Sequence, residues 1–219
     1  MSRAIGLAFT HAALQQFRGD HHAAIQILKD LPPPDATVGH MSGVAHASLL
    51  FALCLAGERD EVRRLLDATA VARAGWLNRV RHGDRWTLSY EIGRIVALGH
   101  LGEIDQARRD LVHAASLLGG DRLPGLDGDL LVAAALLHLE DGDPARTSIL
   151  LRAVNNLRSH YGLCLYMEVH ERIHGRPEGD LARARMAVMH QLLDQYDPVR
   201  TSAARAMLDD ELARLATLT

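Results

Sequence analysis

The segment Phe17-Arg18-Gly19-Asp20-His21-His22-Ala23-Ala24-Ile25-Gln26-Ile27-Leu28 carries a punctuation mark that the chain uses four times. Gly19 is followed at once by Asp20, then by the small Ala24 five places after the glycine and by Leu28 nine places after it. The same order returns at Gly57-Glu58 with Val62 and Leu66, at Gly102-Glu103 with Ala107 and Leu111, and at Gly142-Asp143 with Thr147 and Leu151. Glycine takes the left-handed conformation that closes one helix, and an acid just after it caps the next helix and suits its positive end. Positions five and nine lie four apart, so they share one face of the second helix. There the small residue permits close approach and the leucine fills the groove beside it. The pattern predicts four helix hairpins hinged at these glycines.

Working outward, the glycines are 38, 45 and 40 residues apart, which are helix-pair repeat lengths. Apolar segments of helical period precede them at 5–17, 44–55, 88–101 and 130–139 and follow them at 22–31, 61–74, 104–118 and 145–157. Pro32-Pro33-Pro34, Gly83-Asp84, Gly119-Gly120 and Pro124-Gly125 mark the connections. Composition agrees: 36 Leu and 32 Ala stand against 12 Val, with aromatics at 4%, so helix formers dominate and strand formers are scarce. After Gly162 the mark disappears. Segments 163–174, 181–196 and 199–218, broken by Gly175-Arg176-Pro177 and Asp197-Pro198, read as three more helices. The expectation is an all-α chain, with helix pairs over 1–160 stacked as a superhelical array and a helical cap packed on it over 161–219. A regulatory or dimerising role for the last helices, giving a homodimer, is the alternative to a plain cap.

Residues 3–157 resemble the tetratricopeptide repeat family, whose second helix opens with the same glycine, acid and small residue, although the period here exceeds that family's usual length of about 34. Gly142-Asp143-Pro144-Ala145-Arg146, leading to Leu150-Leu151-Arg152-Ala153 and Arg158, is similar to the helical sensor arm of large bacterial LuxR-type, ATP-dependent regulators. The resemblance implies a concave face built by the first helix of each pair. By distance before each glycine, the family's inward positions fall on Phe9, Ala13, Gln16, Phe51, Cys54, Ile92, Val96, Val132 and Leu136. That face is mostly apolar and holds neither lysine nor asparagine, so the family's carboxylate-gripping clamp is missing. The expected occupant is an amphipathic segment of a protein or peptide partner, an apolar small ligand, or the chain's own last helix. The reading is a non-enzymatic interaction or sensing module, extending to transcriptional regulation, with no cofactor.

Two other constellations carry chemistry. His170-Glu171-Arg172-Ile173-His174 satisfies H-E-x-x-H, in which His170 and His174 share a helix face as zinc ligands and Glu171 acts as base on a metal-bound water. His190, Asp194 or Asp197 would supply the third ligand; this is the alternative reading, a zinc-dependent hydrolase. Trp76, Arg79, Arg81, His82, Arg85 and Trp86 combine indole and guanidinium in what reads as a long connection, the mixture used for phosphate or nucleic-acid contacts. A net charge of −3 weighs against a nucleic-acid partner. The single lysine, Lys29, follows no glycine-rich loop, which excludes phosphate-loop chemistry. The longest apolar run, 130–137, is eight residues against the roughly 20 needed to span a bilayer. Two distant cysteines make no disulfide framework, so a reducing cytoplasm is expected.

Overall fold

The computed structural model describes residues 2–34, 40–81, 88–118, 124–154, 157, 160–194 and 198–217. Those residues form eleven helices and no strand. In order they are α1 (Ser2–Phe17), α2 (His21–Leu28), α3 (His40–Ala56), α4 (Arg59–Arg81), α5 (Leu88–Leu101), α6 (Ile104–Leu118), α7 (Pro124–Glu140), α8 (Pro144–Ala153), α9 (His160–His174), α10 (Leu181–Asp194) and α11 (Pro198–Ala216).

All four hinge glycines lie in the left-handed region, with φ of +79° at Gly19, +79° at Gly57, +82° at Gly102 and +81° at Gly142. At Gly19 the closing bonds are those of a Schellman turn: the Gly19 amide donates to the Gln16 carbonyl at 2.9 Å and the Asp20 amide to Gln15 at 2.9 Å. Gly57-Glu58 and Gly142-Asp143 repeat this arrangement on Cys54 and Leu53 and on Leu139 and His138. The aspartates then cap the next helix: Asp20 Oδ1 accepts from the Ala23 amide and Asp143 Oδ1 from the Arg146 amide, each at 2.9 Å. The facing pairs Ala24 and Leu28, Val62 and Leu66, Ala107 and Leu111, and Thr147 and Leu151 are all buried.

The chain divides into two compact units, Met1–Leu101 and Gly102–Thr219. The division falls at the third hinge, not between 160 and 161, because α9 and α11 bury themselves against α7 and so belong to one body with α6–α8. In the first unit α3 packs against α1, α2, α4 and α5. In the second, α7 packs against α6, α8, α9 and α11. Helices enclosed in this way are buried, and mostly apolar, on every side. Accordingly Ser42–Ser48, Leu50–Cys54 and Leu126–His138 are unbroken buried runs. The α3–α5 crossing is tight: a Cβ on Gly93 would lie 3.0 Å from that of Ala47.

The two largest boundary differences from the sequence expectation are in α7 and α4. Pro124-Gly125, read as a connection, opens α7, where proline is tolerated because a first-turn amide has no helical acceptor. Helix α4 continues through Gly75 to Arg81, since its last turns have a core to bury. Trp76, 1% exposed, packs on Tyr90 with ring centroids 4.6 Å apart and faces His46 at 5.9 Å. The Thr69 and Tyr90 hydroxyls are hydrogen-bonded, and Arg73 makes a two-pronged pair with buried Glu91, at 2.9 and 2.7 Å.

Candidate functional site

The nine positions assigned to an inner face are mostly enclosed. Phe9 and Ala13 on α1 are half-buried. Phe51, Cys54, Ile92, Val96, Val132 and Leu136 are buried in α3, α5 and α7, and so form core and not an open groove. Gln16 is fully buried and joins α1 to α3: its Nε2 donates to the Ser48 carbonyl at 2.8 Å, and the Ser48 hydroxyl donates to its Oε1 at 3.3 Å. A helix with apolar residues spread around its whole circumference shows little in its sequence of which side is covered, which is why these residues read as an open face.

The H-E-x-x-H segment ends α9. His170 and His174 share a face, with ring centroids 4.4 Å apart. Burial, then the neighbouring His174, lowers the pKa of His170 against an opposing pull from Glu171. The proposed base is already engaged: both Glu171 oxygens accept from Arg185 of α10, at 2.7 and 2.9 Å, and Arg185 is 3% exposed. Arg172 reaches Glu140 on α7 at 2.6 Å, so the motif's charges tie α9 to its neighbours. His190 is exposed on α10, and Asp197 and the side chain of Asp194 lie outside the described residues. Among the described residues no three His, Cys, Asp or Glu side chains come together as a metal site.

The indole and guanidinium cluster is broken in the same way. Trp76 is a core residue of α4 and offers no stacking surface. His82, Arg85 and Trp86 and the side chains of Arg79 and Arg81 lie outside the described residues.

An accessible site exists elsewhere, on the second helices of the first two hairpins. A cleft of about 540 Å³ is lined by α2, α3 and the start of α4. Ile25, Leu49, Leu53 and Leu65 form its apolar lining, and His22, Gln26, Lys29, Glu58, Glu61 and Arg64 its polar lining. His22, Gln26 and Lys29 recur at helical spacing along α2, and Lys29 Nζ donates to Gln26 Oε1 at 2.6 Å. Opposite them, Arg64 pairs with Glu61 at 2.5 Å, and Glu58 lies 3.9 Å from His22. These pairs are solvated and hold little stability, so their groups are free to exchange partners. Sequence reading did not find this cleft, yet one signal pointed to it. Ile25 and Leu65 are apolar but fall outside the five-and-nine stripe that packs each hairpin.

The second unit has a polar centre between α7, α8 and α11. Glu211, fully buried, accepts from His138 Nε2 at 2.7 Å, from Arg146 at 2.9 and 2.6 Å and from Arg214 at 2.8 Å. Burial alone would push its carboxyl upward, but the bonds from His138, Arg214 and Arg146 outweigh it and hold the group far below the usual carboxylate range. The chain matches no known family, no curated protein and no solved structure.

Proposed function

We propose that this protein is a non-enzymatic helical-repeat binding module that holds an amphipathic peptide segment of a partner protein in the α2–α4 cleft, in a regulatory or sensing role. The stacking of its hairpins as a tetratricopeptide-like superhelix is part of this reading, and so is a reducing cytoplasm, in keeping with the buried free thiols of Cys54 and Cys164.

The observation that carries it is the cleft itself, whose apolar lining is bordered by exposed charges of both signs. Apolar side chains of a bound peptide would displace water from Ile25, Leu49, Leu53 and Leu65 and supply affinity. Charges flanking them would exchange with the His22–Glu58 and Arg64–Glu61 pairs and supply register.

A selection from a displayed library of amphipathic peptides tests the proposal. Recovered peptides are expected to bind saturably and to lose about tenfold or more in affinity to an Ile25→Glu, Leu65→Glu chain. Both side chains are half-buried, so helicity by circular dichroism should survive. Undiminished binding to that chain would overturn the assignment.

A further inference from the structure

Helix α11 is docked differently from the two central helices. Where α3 and α7 are enclosed along unbroken runs, α11 buries only Ala204, Leu208, Glu211 and Leu215 among its described residues. These are spaced three and four apart on one face, with half-buried Met207 and Leu212 beside them, and one of the four is a carboxylate. Most of the other described residues of α11 are exposed, including Asp209, Asp210 and Arg214. Polar bonds therefore fix its register: Glu211 lies between His138 of α7 and Arg146 of α8, and Arg205 pairs with Asp127 of α7 at 2.9 Å. A one-sided apolar face centred on a buried carboxylate gives specificity with less holding strength than full enclosure, the profile of an element that opens locally before its unit unfolds.

We infer that the face of α6, α7 and α8 bearing His138 and Arg146 is a docking site for a partner's amphipathic helix with glutamate set between two leucines, as in Leu208-x-x-Glu211-x-x-x-Leu215, and that α11 is its resident, displaceable occupant. The socket's chemistry selects this ligand. His138 donates through Nε2 and Arg146 through two nitrogens to one carboxylate, while Asp143, 4.0 Å from His138 Nδ1, and Asp141 disfavour a second acid on that side. Because α11 is tethered, it competes at a high effective concentration, so the site stays closed until its glutamate bond weakens or a stronger helix arrives. This inference is independent of the α2–α4 cleft.

The probe is a labelled peptide of residues 198–217, added to the chain of residues 1–219 and to its Glu211→Gln variant. The peptide is expected to bind the variant chain about tenfold or more tighter than wild type, and a peptide carrying E211Q to lose about tenfold on the variant chain. Binding to neither chain, or equally to both, would overturn the inference. Should Glu211→Gln abolish folding, hydrogen exchange on the wild-type chain decides. Amides of α11 should exchange about tenfold or more faster than those of Leu130–Leu137 in α7, and a common rate for both would overturn it.

Discussion

Replacing Gly57 by alanine tests the hinge by sign as well as by size. Gly57 has φ +79°, and a Cβ placed there meets no atom within 4 Å, so the new methyl clashes with nothing and acts through the backbone alone. Holding an L-residue in that region costs about 1–2 kcal/mol, and the stiffer unfolded chain offsets about 0.4–1 kcal/mol of this in the stabilising direction, leaving a net loss near 1 kcal/mol. If Gly57 instead lay inside a continuous helix, alanine would stabilise by about 0.5–1 kcal/mol. The two accounts thus differ by about 2 kcal/mol and point in opposite directions. Trp76 is buried in the first unit, so urea unfolding followed by tryptophan fluorescence reports that unit. A midpoint that falls with an unchanged slope is expected, and a midpoint that rises would refute the hinge.

Other consequences can be measured directly. Arg73→Ala strands the buried Glu91 carboxylate and should destabilise the first unit by about 3 kcal/mol, with Glu91→Gln added to the same chain restoring much of the loss in guanidinium unfolding. Because the Glu211 pKa is depressed in the folded chain, its stabilisation is complete above the ordinary carboxylate pKa of about 4.3 and drains away as pH falls through and below that value. Thermal melts of the second unit should therefore lose midpoint from about pH 5 downward, and Glu211→Gln should flatten that limb. Burial pushes the Cys164 thiol up to about 12, against a weaker opposing effect of Arg185, and Cys54 is buried too. A thiol reagent should find neither in the folded chain and both after denaturation.

Much of the fold was legible because its signals are local. A glycine that must be left-handed and an acid that must cap leave their mark within a few residues, and so the hinges at Gly19, Gly57, Gly102 and Gly142 stood where expected. What depends on distant partners was not legible. Arg185 lies 14 residues beyond Glu171, and no spacing rule shows that it will claim the carboxylate of the H-E-x-x-H segment. Trp76 reads as part of a connection because it opens a stretch of indole and guanidinium side chains between two helix pairs, but the core around Tyr90 and His46 carries α4 past Gly75. The apolar residues spread around α3, α5 and α7 concealed which side each helix covers, so Phe51, Ile92 and Val132 read as groove but are buried in the core. The residues that line the open cleft sit on α2 and α4, where Ile25 and Leu65 were the only sequence hint.

Lys29 gives the binding proposal its most direct test, since it is the chain's sole lysine and lines the cleft. An amine-specific acylating reagent, applied with and without a saturating selected peptide and read by mass spectrometry, reports occupancy at one residue. Strong protection of Lys29 that disappears in the Ile25→Glu, Leu65→Glu chain is the result this account predicts. Equal acylation of Lys29 in the free and the peptide-saturated protein would contradict it.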